Sequence, residues 1–249
     1  MKSFIAALGF LTIIPLPSRW AHEKEALAGS IPFFPMVGLL IGAVVAALDS
    51  GFVRLFPPLL ASALTVIAMV AVSGGLHMDG LGDTADGFLS SRPREQILEI
   101  MRDSRSGVMG VLAIVLIVSL KIAAVASLGA GIRRPVVFLM PLAGRCALVI
   151  SLFLLPYARK EGGLVSPFLK RCSSLHTLWA VGLLAVAGWV AAGMTGLAIG
   201  GAVVIGTVLF SAYVRSKIGG LTGDTLGAVC EIVEVLPALV GAAMTAPHL

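Results

Sequence analysis

Apolar residues run along this chain in blocks of membrane-crossing length. Such stretches cover residues 31–53, 59–75, 107–130, 136–157, 176–195, 197–214 and 232–248. Each approaches the ~20 residues a helix needs to cross a bilayer. The first apolar stretch, 3–17, is shorter and closes on Ile-Pro-Leu-Pro; it either spans with a break or lies in the interface. Polar segments at 18–30, 76–106, 158–175 and 215–231 separate the blocks. The pattern predicts an all-α, polytopic integral membrane bundle of about seven to eight segments. It forms one transmembrane domain over 1–249, with no internal repeat.

Composition agrees with this reading. Hydrophobic residues make up 58%, charged residues 12%, and the mean hydropathy is +1.02, against about 25% charged in a soluble domain. The 29 glycines suit helices that approach closely through small residues. Lys2 and the apolar run after it resemble a leader. Pro15, Pro17 and Arg19 follow without a small-residue cleavage site, so the segment reads as mature structure. Cys146, Cys172 and Cys230 lie far apart, which indicates neither a disulfide framework nor a zinc site.

The net charge of +5 would suggest nucleic acid in a soluble protein, but here basic residues set topology and no nucleic acid is expected. If 76–106 faces the cytoplasm, alternation puts the four polar segments on that side, and they hold 12 of the 18 Lys and Arg. Arg54, Arg133 and Arg134 fall opposite. This predicts a multi-pass membrane protein with those four segments on the cytoplasmic side. Arg159, Lys160, Lys170 and Arg171 read first as topology charges and second as attractors of an anionic substrate. Lys121 and Arg145, inside spans, either snorkel or line a cavity. Asp49 reads as a helix-end residue.

Candidate chemistry gathers on the same side. In Gly-Gly-Leu-His-Met-Asp-Gly-Leu-Gly-Asp-Thr-Ala-Asp-Gly, residues 74–87, Asp79, Asp83 and Asp86 recur at i, i+4 and i+7. On a helix they share one face. Three like charges so close call for a cation between them, and Mg²⁺ takes carboxylate and phosphate oxygens. His77 stands beside them as a candidate base. In residues 95–107, Asp103 is placed to complete a metal site, and Arg102 and Arg105 to grip phosphate oxygens. In residues 219–234, Thr222-Gly223-Asp224 forms a turn opening a helix whose N–H groups suit an anion. The active-site segments are therefore 76–106 and 215–231, facing the cytoplasm.

Taken in order, GGLHMDGLGDTADGF, EIMRDSRSGVMG and LTGDTLGAVCE resemble the cobalamin synthase family, the adenosylcobinamide-GDP ribazoletransferases. FIAALGFLTIIPLP and FFPMVGLLIGA near the N-terminus look similar too, so the resemblance covers nearly the whole chain. It implies a multi-pass, Mg²⁺-requiring enzyme of the bacterial inner membrane that joins adenosylcobinamide-GDP to α-ribazole or its 5′-phosphate. The products are adenosylcobalamin or its 5′-phosphate, and GMP. On that footing Asp79, Asp83, Asp86 and Asp103 hold Mg²⁺, Arg102 and Arg105 take non-bridging oxygens, and Thr222 and Asp224 meet a substrate end. The ribazole 5′-oxygen attacks the corrinoid-bound phosphorus, and His77 or an uncoordinated Asp such as Asp86 takes the proton. A homo-oligomer stays open.

Other intramembrane Mg²⁺ transferases fit less well. A CDP-alcohol phosphotransferase needs Asp-Gly-x-x-Ala-Arg, but Asp86-Gly87 is followed by Phe-Leu-Ser-Ser. A polyprenyl transferase needs Asn-Asp-x-x-Asp, but Met78 precedes Asp79. A transporter would place its ionisable residues near mid-span between repeats.

Overall fold

The structure is a computed structural model describing residues 2–15, 24–103, 105–159, 163 and 165–245. Pro17, Arg19 and Lys160 lie outside the described residues. The chain is helical: α1 (Lys2–Leu11), α2 (Lys24–Ala28), α3 (Phe34–Leu55), α4 (Pro58–Ser73), α5 (Leu76–Phe88), α6 (Arg94–Ile100), α7 (Val108–Ala126), α8 (Ala130–Leu154), α9 (Ser166–Leu169), α10 (Ser174–Ile218), α11 (Gly223–Glu234) and α12 (Leu236–Thr245).

Five helical stretches are long and apolar enough to cross a membrane, and the pair α4–α5, bent by 93°, makes a sixth when counted as one broken span. The long α10 reverses on itself. Its backbone leaves helical geometry at Ala192 and Gly193, and a Cβ on Gly188 would lie 2.6 Å from the carbonyl oxygen of Gly196. Eight residues of straight helix separate two atoms by about 12 Å, so the two arms run antiparallel and α10 makes two crossings. That brings the crossings to seven, as the apolar blocks 176–195 and 197–214 predict.

The central element is α8, 89% buried across its most apolar window, while α7 is 22% buried and faces outward. Little hydrophobic force acts between helices in lipid, so close packing has to hold them. Gly38 and Gly42, one turn apart on α3, lie against α8, where a Cβ on Gly38 would sit 2.9 Å from the Cα of Leu142.

Several polar residues read as peripheral are structural. Asp49 is 2% exposed, not a solvated helix end. Arg133 Nη2 donates to Asp49 Oδ1 at 2.7 Å and Arg133 Nη1 to Ser62 at 3.0 Å, while Thr65 donates to the same carboxylate at 2.6 Å. This knot ties α3, α4 and α8 together. It also leaves Arg54 and Arg134 as the exposed cations of that end, which sharpens the charge asymmetry. Lys121 and Arg145 neither snorkel nor face lipid. Lys121 Nζ donates to Glu231 Oε2 and to Glu234 Oε2, both at 2.6 Å, and Arg145 Nη1 donates to Glu234 Oε1 at 2.7 Å. Two cations and two anions thus balance inside the bundle, where an unpaired charge is costly.

The polar segment 215–231 is mostly helix, as the turn at Thr222-Gly223-Asp224 that opens a helix suggests. Residues 219–222 form the whole connection between α10 and α11.

Candidate active site

The acidic helix begins at a break. Gly74 and Gly75 take φ of 62° and 74°, left-handed values that other residues adopt with strain. There α4 ends and α5 turns through 93°. Consequently α5 packs inside the bundle instead of lying in a surface loop. Its contact with α11 is backbone-close: a Cβ at Gly80 would stand 2.7 Å from the carbonyl oxygen of Asp224, and one at Gly227 2.9 Å from that of His77. Side chains at either position would push the helices apart.

That contact carries Asp224 to the acidic face of α5. Asp83 lies within electrostatic reach of Asp79, Asp224 and Asp86, and of Arg159 as a cation. Asp79 is exposed and Asp83 half-buried. Among the described residues, no side chain donates a hydrogen bond to either or forms an ion pair with it. Asp86 is engaged instead. Helix α7 opens on Gly107, which has no side chain to cap it, and Asp86 reaches across to supply the cap. Its Oδ2 accepts from Gly107 N–H at 2.7 Å and its Oδ1 from Gly110 N–H at 2.8 Å.

Asp103 and Arg105 sit apart on the loop before α7. Arg105 Nη2 donates to Asp103 Oδ2 at 2.7 Å, and these hydrogen bonds hold the Asp103 carboxyl down at about 2. Neither residue lines the cavity described next. No group of three or more His, Cys, Asp or Glu side chains is assembled to hold a metal among the described residues.

A cavity of ≈ 280 Å³ opens beside the acids. His77, Asp79 and Asp224 line it from α5 and α11. His77 is buried, its Nδ1 without a hydrogen-bond partner. Thr222 is not among the lining residues; its hydroxyl caps α11 by accepting from Thr225 N–H at 3.2 Å. Arg159, read from sequence first as a topology charge and second as an attractor of an anionic substrate, enters the cavity and donates to Asp224 Oδ2 at 2.9 Å. Its placement is built by the loop clamp. Ala158 N–H donates to Leu221 O at 2.9 Å, Leu221 N–H to Pro156 O at 2.8 Å, and Arg94 to both Ile218 O and Ala158 O. A separate surface groove, lined by Arg94, Glu95, Glu99, Arg102 and Arg159 among others, shares Arg159 with the cavity. Nothing in residue spacing could have marked Arg159, because its partner lies 65 residues away.

The family model for cobalamin-5-phosphate synthase matches residues 3–242. The chain belongs to the cobalamin-5-phosphate synthase family. Among relatives, the adenosylcobinamide-GDP ribazoletransferase of Syntrophobacter fumaroxidans is 44% identical over 243 residues, covering 94% of this chain and 95% of the relative. That of Desulforamulus reducens is 40% identical over 235 residues, 94% and 93% of the two chains. That of Acetivibrio thermocellus is 37% identical over 232 residues, 93% and 94%. No solved structure matches the chain. In this family member the acids, Arg159 and the cavity form the candidate site.

Proposed function

We propose that the protein is an adenosylcobinamide-GDP ribazoletransferase of the inner membrane, with its site facing the cytoplasm. The observation that carries this reading is the family match across residues 3–242. The reaction exchanges one phosphate ester for another: a ribazole hydroxyl attacks the corrinoid-bound phosphorus, the diphosphate bridge breaks, GMP leaves, and the hydroxyl proton is released. The family description names a 5-phosphate product. In that case O5′ already carries phosphate, so the attacking oxygen is a secondary ribose hydroxyl and not the 5′-oxygen expected from sequence.

The donor chemistry fits Mg²⁺. Asp79 and Asp83 offer hard oxygen atoms without protein partners, and Mg²⁺ is commonly held by one or two carboxylates plus substrate phosphates. A site completed by the diphosphate needs no third side chain. Asp79 and Asp83 would hold the ion; Asp86 and Asp103 are already spent on the α7 cap and on Arg105. Bound there, Mg²⁺ would neutralise charge on the diphosphate and on departing GMP. Arg159 binds the diphosphate from the cavity side and Arg102 from the groove. Asp224, once Arg159 turns to substrate, is placed to accept the hydroxyl proton. His77 supports the α5–α11 contact from beneath. The helix walls orient the acceptor and exclude water, since positioning and charge stabilisation supply most of the rate in phosphoryl transfer.

The test is GMP release by purified protein given Mg²⁺, adenosylcobinamide-GDP and α-ribazole. Asp83→Asn abolishes turnover while leaving the protein folded and membrane-inserted. Normal activity in that variant removes the metal-ligand assignment.

A further inference from the structure

The cavity has two characters. Its α5–α11 wall presents Asp79 and Asp224, with Arg159 alongside. Its other end is aromatic. Phe10 of α1, Phe34 of α3 and Phe168 of α9 pack on one another, with ring centroids 5.9 Å (Phe10–Phe34), 5.1 Å (Phe10–Phe168) and 5.5 Å (Phe34–Phe168) apart. Phe34 and Phe168 are each 1% exposed, so this end is closed, and half-buried Phe10 is the ring a ligand meets. Leu148 and Leu152 of α8 form the adjoining wall.

Resting on the transferase reading, we infer that this cavity is the acceptor subsite. It takes α-ribazole with its methylated benzimidazole against the Phe10 cluster and the leucines, and its ribose at the Asp79–Asp224 rim. Three arguments select this occupant. Size excludes the corrinoid: ≈ 280 Å³ lies just below the roughly 300–1,000 Å³ of pockets for drug-sized ligands, and a corrin macrocycle is far larger. Polarity excludes guanine, whose ring N–H, amino and carbonyl groups would be buried among phenyl and leucine side chains without partners. The benzimidazole of a nucleoside has no donor and a single acceptor nitrogen, and its flat face suits offset stacking on Phe10. Orientation follows from the same asymmetry. With the base in the closed end, the sugar hydroxyls emerge beside the carboxylates and Arg159, where the diphosphate is held.

The experiment is equilibrium dialysis of labelled α-ribazole against the purified full chain, without the corrinoid substrate. Phe10→Ala removes the stacking ring, and Leu152→Trp fills the cavity from α8. Each weakens α-ribazole binding about tenfold, the scale of losing one stacked aromatic, and shifts adenosylcobinamide-GDP binding less than twofold. Free 5,6-dimethylbenzimidazole displaces labelled α-ribazole from the wild type; guanosine does not. Monodisperse elution and an unchanged melting temperature certify each variant. If Leu152→Trp misfolds, Phe10→Ala on the peripheral N-terminal helix carries the result. Wild-type affinity in the folded variants, a loss falling on the corrinoid substrate instead, displacement by guanosine, or no binding to the wild type overturns the assignment. Binding as expected without GMP release in the complete reaction overturns the transferase reading and leaves the nucleoside site standing.

Discussion

Glu234 is the residue on which the bundle interior depends most. It accepts from Lys121 at 2.6 Å through one oxygen and from Arg145 at 2.7 Å through the other, and all three side chains are buried. Glu234→Gln keeps the shape and removes the charge, turning a balanced set of two cations and two anions into one with an uncompensated positive charge. Breaking a buried pair in this way costs about 3–5 kcal/mol. Against a total stability of about 5–15 kcal/mol, that is at least about a fifth of the whole. Glu231→Gln costs less, because Lys121 keeps Glu234; one charge-assisted hydrogen bond is worth about 1.5–3 kcal/mol. Lys121→Met combined with Glu231→Gln restores balance and leaves the Arg145–Glu234 pair intact, so the double variant is more stable than Lys121→Met alone. The assay is equilibrium unfolding in mixed detergent micelles, followed by tryptophan emission. A Glu234→Gln protein that unfolds like wild type, or single-variant losses that simply add in the double variant, would refute the charge-balance reasoning.

Three further outcomes follow from the site. Asp86→Asn keeps one acceptor of the α7 cap and loses about 0.5–2 kcal/mol, a loss that is the same with and without Mg²⁺ in thermal melts. Gly80→Ala drives a methyl into the Asp224 backbone, costs about 1–3 kcal/mol and sharply lowers GMP release; Gly201→Ala, where nothing stands within 4 Å, serves as the silent control. Mg²⁺ at about 100 times its Kd adds about 2.7 kcal/mol to wild-type stability; EDTA reverses the gain, Asp83→Asn lacks it, and an equal gain in Asp83→Asn would rule out that ligand.

The seven crossings were legible because a bilayer sets helix length directly, and each apolar block met that length. The Asp79–Asp83–Asp86 face was legible because helical spacing alone decides it. What the sequence hid depends on distant partners. Asp49 and Arg133 are 84 residues apart and Lys121 and Glu234 113 apart, so each charge looks peripheral until the helices pack. Asp86 is a carboxylate like its neighbours in sequence, yet its oxygens belong to the backbone of α7. The inward path of α5 was hidden as well. A Gly-Gly pair before a polar run reads as a simple helix end; here it is a bend that turns the acid-bearing helix against α11.

That bend explains why the chain can keep so many acids near a membrane. The charged interior is neutral by itself, since Glu231 and Glu234 are matched by Lys121 and Arg145. It therefore lends no positive charge to the site above it. Of the four carboxylates along the α5–α11 contact, Asp86 is held by amides and Asp224 by Arg159. Asp79 and Asp83 have no partner among the described side chains, at a contact too tight to splay apart without disturbing Gly80 and Gly227. The packing that costs electrostatic energy in the resting protein is thus what makes a cation and a diphosphate favourable there together. Stability and catalysis should then oppose one another at these two positions: Asp83→Asn is expected to melt slightly higher than wild type in metal-free buffer while releasing no GMP.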